Sequence, residues 1–172
     1  MTVVRPATVE DAEVIGEIHV EGWQSSYAAL LPADYLSGLD VERKQQMWTE
    51  VLSDPGQRGW TFVAEVDGLV VGFLAAAGSR DPDTSKDAGE IRALYLRDAS
   101  KGRGVGAALL RAALQRLTES GFDRVTLNVL EGNTTTRSFY ERFGFALDGA
   151  GFSAQFGGRE VFLVRYAARL PM

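Results

Sequence analysis

The sequence predicts a mixed α/β fold, with a central mixed sheet of about six to seven strands flanked by about four helices. Three observations carry that prediction. Short runs of alternating apolar and polar residues, rich in β-branched and aromatic side chains, recur along the chain. Asp67-Gly68 and Gly157-Gly158 each separate two such runs, as hairpins require. Between Glu90 and Val129 a strand pattern passes through a glycine-rich turn into a helix pattern and then a second strand pattern. That order gives a right-handed crossover, so those two strands are expected to be parallel while the hairpins are antiparallel.

The chain has 172 residues, 45% of them hydrophobic, which suits one domain spanning residues 1–172 with a sizeable core. No run of 18 apolar residues occurs, so no membrane span is expected. The start, MTVVRPATVED, lacks the basic and apolar blocks of a signal peptide. No cysteine is present, which excludes disulfides, thiolate metal sites and a cysteine nucleophile, and no metal site is expected. A cytoplasmic protein is the simplest reading. The net charge of −5 makes a poor general nucleic-acid binder and favours a cationic acceptor such as an amine.

In chain order, Val3–Arg5 is a short strand closed by Pro6. Thr8 to Asp11 has the form of a capping box and starts a helix expected to reach about Ala29. Ile15 and Ile18 face the core. His19, Trp23 and Tyr27, four residues apart, share a face that either packs as core or walls a pocket. His19 is the only histidine and no nucleophile-elbow sequence accompanies it, so a packing role is expected rather than a triad or a zinc site. Leu31-Pro32 begins a short helix. Asp40 caps a further one, with Met47, Trp48, Val51 and Leu52 as its buried face and Asp54-Pro55-Gly56 as its stop. Trp60–Val66 and Leu69–Ala77 form a hairpin, and Gly78–Gly89 reads as a mobile polar loop.

Glu90–Leu117 is the informative centre. Ile91, Ala93 and Tyr95 alternate with Glu90, Arg92, Leu94 and Leu96 as in a strand. Lys101-Gly102-Arg103-Gly104-Val105-Gly106 then opens a helix with Leu110, Ala113, Leu114 and Leu117 as its apolar stripe. A helix start carries unpartnered N–H groups and about half a positive charge, and the three glycines clear side chains from it. Arg97, Lys101 and Arg103 add cationic charge. The expected ligand is phosphorylated, with a plain tight turn as the alternative. Neither the Rossmann nor the Walker spacing is met. Gly121 ends the helix, and Val125, Leu127 and Val129 are the inward face of the next strand. Asn133 caps a helix ended by Gly144, with Phe139 and Phe143 buried, and Phe152–Tyr166 forms the last hairpin.

Lys101 to Gly106 resembles motif A of the GNAT N-acetyltransferase superfamily, [QR]-x-x-G-x-[GA], with Lys101 in place of Gln or Arg. Asn133 and Tyr140, followed by Gly144-Phe145, resemble motif B, with Thr136 at its small-residue position. The likeness covers nearly the whole chain. It implies acetyl-CoA as donor, held by Leu94, Tyr95, Leu96, Lys101, Gly102, Arg103, Gly104, Val105, Gly106, Ala107, Asn133 and Tyr140. It also implies an oxyanion donor from the main chain of Leu94–Leu96 and Tyr140 as general acid for the leaving thiolate. Glu90, at the start of that strand, is the candidate base, directly or through water; Trp23, Tyr27 and Glu90 would meet the acceptor. Without cysteine, direct transfer to a small primary amine in a ternary complex is expected rather than an acyl-enzyme. The alternatives are a non-catalytic acetyl-CoA sensor or interaction module, a protein N-terminal or lysine acetyltransferase, and a nucleotide binder. A homodimer through exposed sheet edges is a further expectation.

Overall fold

The computed structural model describes residues 1–54 and 56–172. Seven strands form one sheet: β1 (Thr2–Pro6), β2 (Gly59–Val66), β3 (Leu69–Gly78), β4 (Ala88–Leu96), β5 (Arg124–Leu130), β6 (Ala146–Phe156) and β7 (Arg159–Arg169). Their spatial order is β1-β2-β3-β4-β5-β7-β6. Among the described residues only the β4–β5 pair is parallel, as the crossover requires. Asp67 and Gly68 both take positive φ, 52° and 78°, the conformation a two-residue hairpin turn with the sheet's own twist demands. Five α-helices accompany the sheet: α1 (Ala12–Ser26), α2 (Ala33–Ser37), α3 (Val41–Ser53), α4 (Val105–Glu119) and α5 (Thr134–Phe143). None is long and apolar enough to cross a membrane among the described residues.

The sheet is covered on both faces. On one, Ile15 and Ile18 of α1 and Trp48 of α3 pack on Val63 and Phe73. On the other, Leu109, Leu110, Ala113, Leu114 and Leu117 of α4 pack with Val125, Leu127, Val129 and Tyr140. β5 is buried on both sides, because Thr126 is as inaccessible as Val125. Simple alternation had assigned it one inward face.

Several boundaries move for identifiable reasons. The first helix begins as a 3-10 turn at Val9–Asp11 and ends at Ser26. Asp11 accepts the Thr8 N–H (2.8 Å) and two N–H groups of Arg5, so its carboxylate both caps and ties β1 down. Pro32 stands in the cap position before α2. Asp40 caps α3 by accepting the Arg43 N–H at 3.2 Å. The expected stop at Asp54-Pro55-Gly56 includes Pro55, which lies outside the described residues. Met47 is exposed and only Trp48 of its expected face is fully buried. Phe139 and Phe143 are half-buried. β6 starts at Ala146, six residues earlier than the last hairpin was expected to open, with a register shift between Leu147 and Gly151.

The central strand needs the largest correction. Ala75 pairs with Ala93 but Ala76 pairs with Ile91, so Arg92 is an extra residue, a β-bulge. The bulge inverts the parity of the strand. Ile91 joins Leu94 and Leu96 on the α4 face, and Ala93 and Tyr95 lie on the α1 face. Uninterrupted alternation had put Ile91, Ala93 and Tyr95 together.

His19 is buried at 8% exposure; its Nδ1 accepts the Trp48 Nε1–H at 3.1 Å and its ring stacks on Tyr95. Burial, and secondarily Lys44, push its pKa down to about 3. The unfolded chain, with an ordinary pKa of about 6.5, binds the extra proton between those values. Stability should therefore fall as pH drops below about 6.5, by up to about 1.4 kcal/mol per pH unit from this group. Urea unfolding of wild type and His19→Gln from pH 4 to 7 checks this. The variant should show the shallower pH dependence, and identical slopes would refute it.

Candidate active site

The parallel ladder between β4 and β5 joins only Ala88, Gly89 and Glu90 to Arg124, Val125 and Thr126. Beyond Glu90 each strand keeps its other neighbour: β4 stays on β3 up to Leu96, and β5 stays on β7 up to Leu130. The two strands therefore part, and backbone groups that would have paired across the seam face a cleft. Such an edge can bind an extended ligand that carries amides. The cleft, about 80 Å³, is lined by Ile91–Tyr95, Leu127–Val129, Tyr27, and Asn133, Thr136 and Tyr140.

Past the end of β4 lies the turn into α4. A 3-10 turn, Asp98–Ser100, leads to Gly102 (φ 72°) and Gly104 (φ 81°), the residue before the helix. A Cβ at either glycine would meet nothing within 4 Å, so the space over the helix start is open. Gly106 is different. A Cβ there would touch Leu96 and Phe139 at 3.6 Å, so this glycine serves packing beneath the turn rather than ligand access. Val105 is buried, Ala107 half-buried, and Lys101 and Arg103 exposed. The expected cationic ring is mostly neutralised. Arg97 binds Glu17 and Glu21 of α1, and Lys101 pairs with Asp98. Arg103 alone of the three has no ion pair among the described residues. The turn therefore offers an anion helix N–H groups more than side-chain charge.

Asn133 caps α5 by accepting the Thr136 N–H at 3.3 Å and lines the cleft. Tyr140 is 5% exposed, its ring edge-on to Phe139 and Phe145. Burial pushes its phenol well above the usual tyrosine range. Tyr27 and Tyr95, 3.0 Å apart at their hydroxyls, are raised by burial too. All three are protonated at neutral pH. Leu94 and Leu96 face the α4 core.

A second cavity, about 210 Å³, adjoins the cleft on the α1 side. Trp23, Tyr27, Leu130, Phe152, Phe156 and Leu163 form its apolar walls, and Arg80, Glu90, Arg92 and Asn128 its polar ones. The two cavities share Tyr27, Ile91, Arg92, Tyr95 and Asn128. Glu90 is 3% exposed and accepts the Arg80 backbone N–H (3.0 Å) and Nη2–H (2.8 Å), with Arg92 Nε at 3.9 Å. The structure thus brings Trp23, Tyr27, Glu90, Tyr95, Asn133 and Tyr140 around two adjoining cavities.

Sequence reasoning missed Arg80, Arg92, Asn128 and Arg165. Arg165 on β7, 6% exposed, binds Asp83 through both oxygens (2.6 and 2.7 Å), Asp81 (3.2 Å) and Asp148 (2.7 Å). That cluster fastens the loop between β3 and β4, which had been expected to be mobile, and so places Arg80. The charges of that loop are plain in the sequence, but their partner lies 82 residues away.

The sequence model of the acetyltransferase (GNAT) family matches residues 20–145, which include the α4 turn, Asn133 and Tyr140. The chain belongs to the GNAT acetyltransferase family. L-amino acid N-acetyltransferase AaaT of Escherichia coli (strain K12) is 30% identical to this acetyltransferase over 171 residues, covering 98% of this chain and 97% of that one. YuaI of Bacillus subtilis (strain 168), an uncharacterized N-acetyltransferase, is 29% identical over 143 residues, 83% of this chain and 79% of its own. The crystal structure of PaiA N-acetyltransferase from Thermoplasma acidophilum in complex with coenzyme A superposes with a TM-score of 0.77 at 21% identity, covering 96% of this chain and 98% of that one. That likeness shows the fold.

Proposed function

We propose that this acetyltransferase moves the acetyl group of acetyl-CoA directly to the primary amine of a small molecule while both are bound. One observation carries the reading: the strand cleft and the second cavity share walls at Tyr27, Tyr95 and Asn128, so a donor in one meets an acceptor in the other. The residues present suit acetyl-CoA. The open glycine turn at the start of α4 suits its phosphates. The parted edges of β4 and β5 suit the amides of its pantetheine arm.

Acetyl-CoA supplies an activated acyl group and a thiolate leaving group. The chain's own groups do the rest. Main-chain N–H groups of Leu94–Leu96 supply hydrogen bonds to the carbonyl oxygen as it gains charge, and one preorganised donor of this kind is worth roughly 2.7–4 kcal/mol. Tyr140, protonated and beside the cleft, donates to the departing thiolate. Glu90, held at the acceptor cavity by Arg80, receives the ammonium proton directly or through water. The chain has no cysteine to carry an acyl-enzyme, which supports direct transfer.

Thiol release from acetyl-CoA against a panel of small amines, amino acids and peptides tests this reading. Turnover with a small amine is the expected result. Binding of acetyl-CoA without turnover across the panel would favour the sensor reading, and turnover with peptides alone a protein acetyltransferase.

A further inference from the structure

The acceptor cavity is charged oppositely to the chain. The protein carries a net charge of −5, yet the charged walls of this cavity are two arginines and one glutamate. The arginines differ. Arg80 is engaged by Glu90 through its backbone N–H and its guanidinium. Arg92 donates to the Gly78 carbonyl at 2.9 Å and otherwise stands 3.9 Å from Glu90. Most of its five N–H donors therefore remain for a ligand. The β-bulge is what turns Arg92 out of the ladder at the point where donor cleft and acceptor cavity meet. Burial and the neighbouring Arg80 both work against the charge of Arg92, and an added anion would relieve that.

A guanidinium fork pairs a carboxylate through two parallel hydrogen bonds. The loop bearing Arg80 is clamped by Arg165 through Asp81 and Asp83, so the polar wall is preformed. Asn128 apart, the remaining walls are mainly aromatic and aliphatic, with Trp23 and Phe156 edge to face at 5.5 Å. A polyamine would bring several positive charges to a cavity already positive.

We propose that Arg92, backed by the Arg80–Glu90 pair, is a carboxylate subsite, and that the acceptor is an α-amino acid with an apolar side chain. The proposal rests on the acetyl-transfer reading above and names its acceptor. The step forms an N–C(acetyl) bond and breaks the C–S bond of acetyl-CoA; the ammonium gives up two protons in all, one released through Glu90 and one that balances the proton Tyr140 delivers to the thiolate.

The test separates binding from turnover. With CoA present, calorimetry compares L-leucine, L-methionine and L-phenylalanine with their amides and with spermidine. At least one amino acid should bind tighter than its amide by about thirtyfold, the value of a charge-assisted hydrogen-bond pair. Arg92→Met should remove that preference and Arg92→Lys should keep part of it, with CoA binding at the α4 turn as the control for folding. None of the three binding better than its amide, or spermidine binding best, would overturn the subsite. So would an undiminished preference in Arg92→Met. Failure of acetyl-CoA to bind, or amino-acid binding with no thiol release, would instead strike the acetyl-transfer reading and leave the subsite standing on the binding data.

Discussion

Tyr140→Phe should lower kcat by about 10²- to 10⁴-fold, the usual contribution of a positioned general acid, while the affinity for acetyl-CoA stays close to wild type. The substitution keeps the ring that packs edge-on at 5.1 Å from Phe139 and 5.6 Å from Phe145, so the fold and the cleft wall are preserved. What is lost is one O–H at the cleft. Burial raises the Tyr140 phenol, which keeps it protonated throughout the neutral range but also makes it a weaker acid. Full transfer to a thiolate whose ordinary pKa is about 8.5 would then be uphill in water. The cleft alters both partners, because a thiol in apolar surroundings is raised as well. Tyr140 therefore acts first as a hydrogen-bond donor to sulfur as charge develops, with the proton following. Steady-state kinetics with parallel calorimetry of acetyl-CoA checks this. Unchanged kcat would remove the acid assignment from Tyr140 and leave Tyr27 and Tyr95, the other raised phenols on the shared wall, as the groups to vary next.

Gly104→Val should weaken CoA binding by about 10- to 100-fold, the cost of one or two hydrogen bonds to a charged group. It should also destabilise the fold by about 1–2 kcal/mol, because a residue with a Cβ resists the left-handed conformation. Gly104 sits at φ 81° immediately before α4, and the space a side chain would enter is open. Valine would fill the approach to the helix N–H groups as well as strain the turn. Gly106→Ala is the contrast. Gly106 lies inside α4, where alanine is favoured by about 1 kcal/mol over glycine, and its Cβ would make ordinary contacts at 3.6 Å. That variant should bind CoA with little change. Calorimetry and thermal unfolding of both variants give the comparison. Equal losses at the two positions would show that the turn acts through helix geometry rather than through open space.

How legible was the site? The donor half was largely local. Lys101–Gly106 and Asn133–Tyr140 are continuous stretches whose caps and turns follow from nearby residues, and Gly104 and Asn133 occupy the helix-start positions expected of them. The hairpins at Asp67-Gly68 and Gly157-Gly158, the parallel crossover and the α4 stripe were legible for the same reason. Each depends on contacts between near neighbours or on a fixed period of side-chain direction.

The proposed acceptor half was less local: Trp23, Tyr27 and Glu90 were expected there, whereas Arg80, Arg92 and Asn128 were placed by tertiary structure alone. The bulge at Arg92 arises from how β4 meets β3, and by inverting strand parity it puts Tyr95 on the acceptor side. The parting of β4 and β5 after Glu90 depends on two outer neighbours holding each strand. Arg165 reaches Asp83 across 82 residues of chain to fasten the loop of Arg80. Net charge pointed to a cationic acceptor such as an amine, but it could not show that the charged walls of the cavity are two arginines and one glutamate. A composition sums charge over the whole surface; a pocket samples only the few side chains that the fold turns toward it. The sequence by itself therefore determined the elements, the crossover and the donor turn. Pairing at long range determined which side chains line the second cavity, because no local period encodes where a ladder breaks.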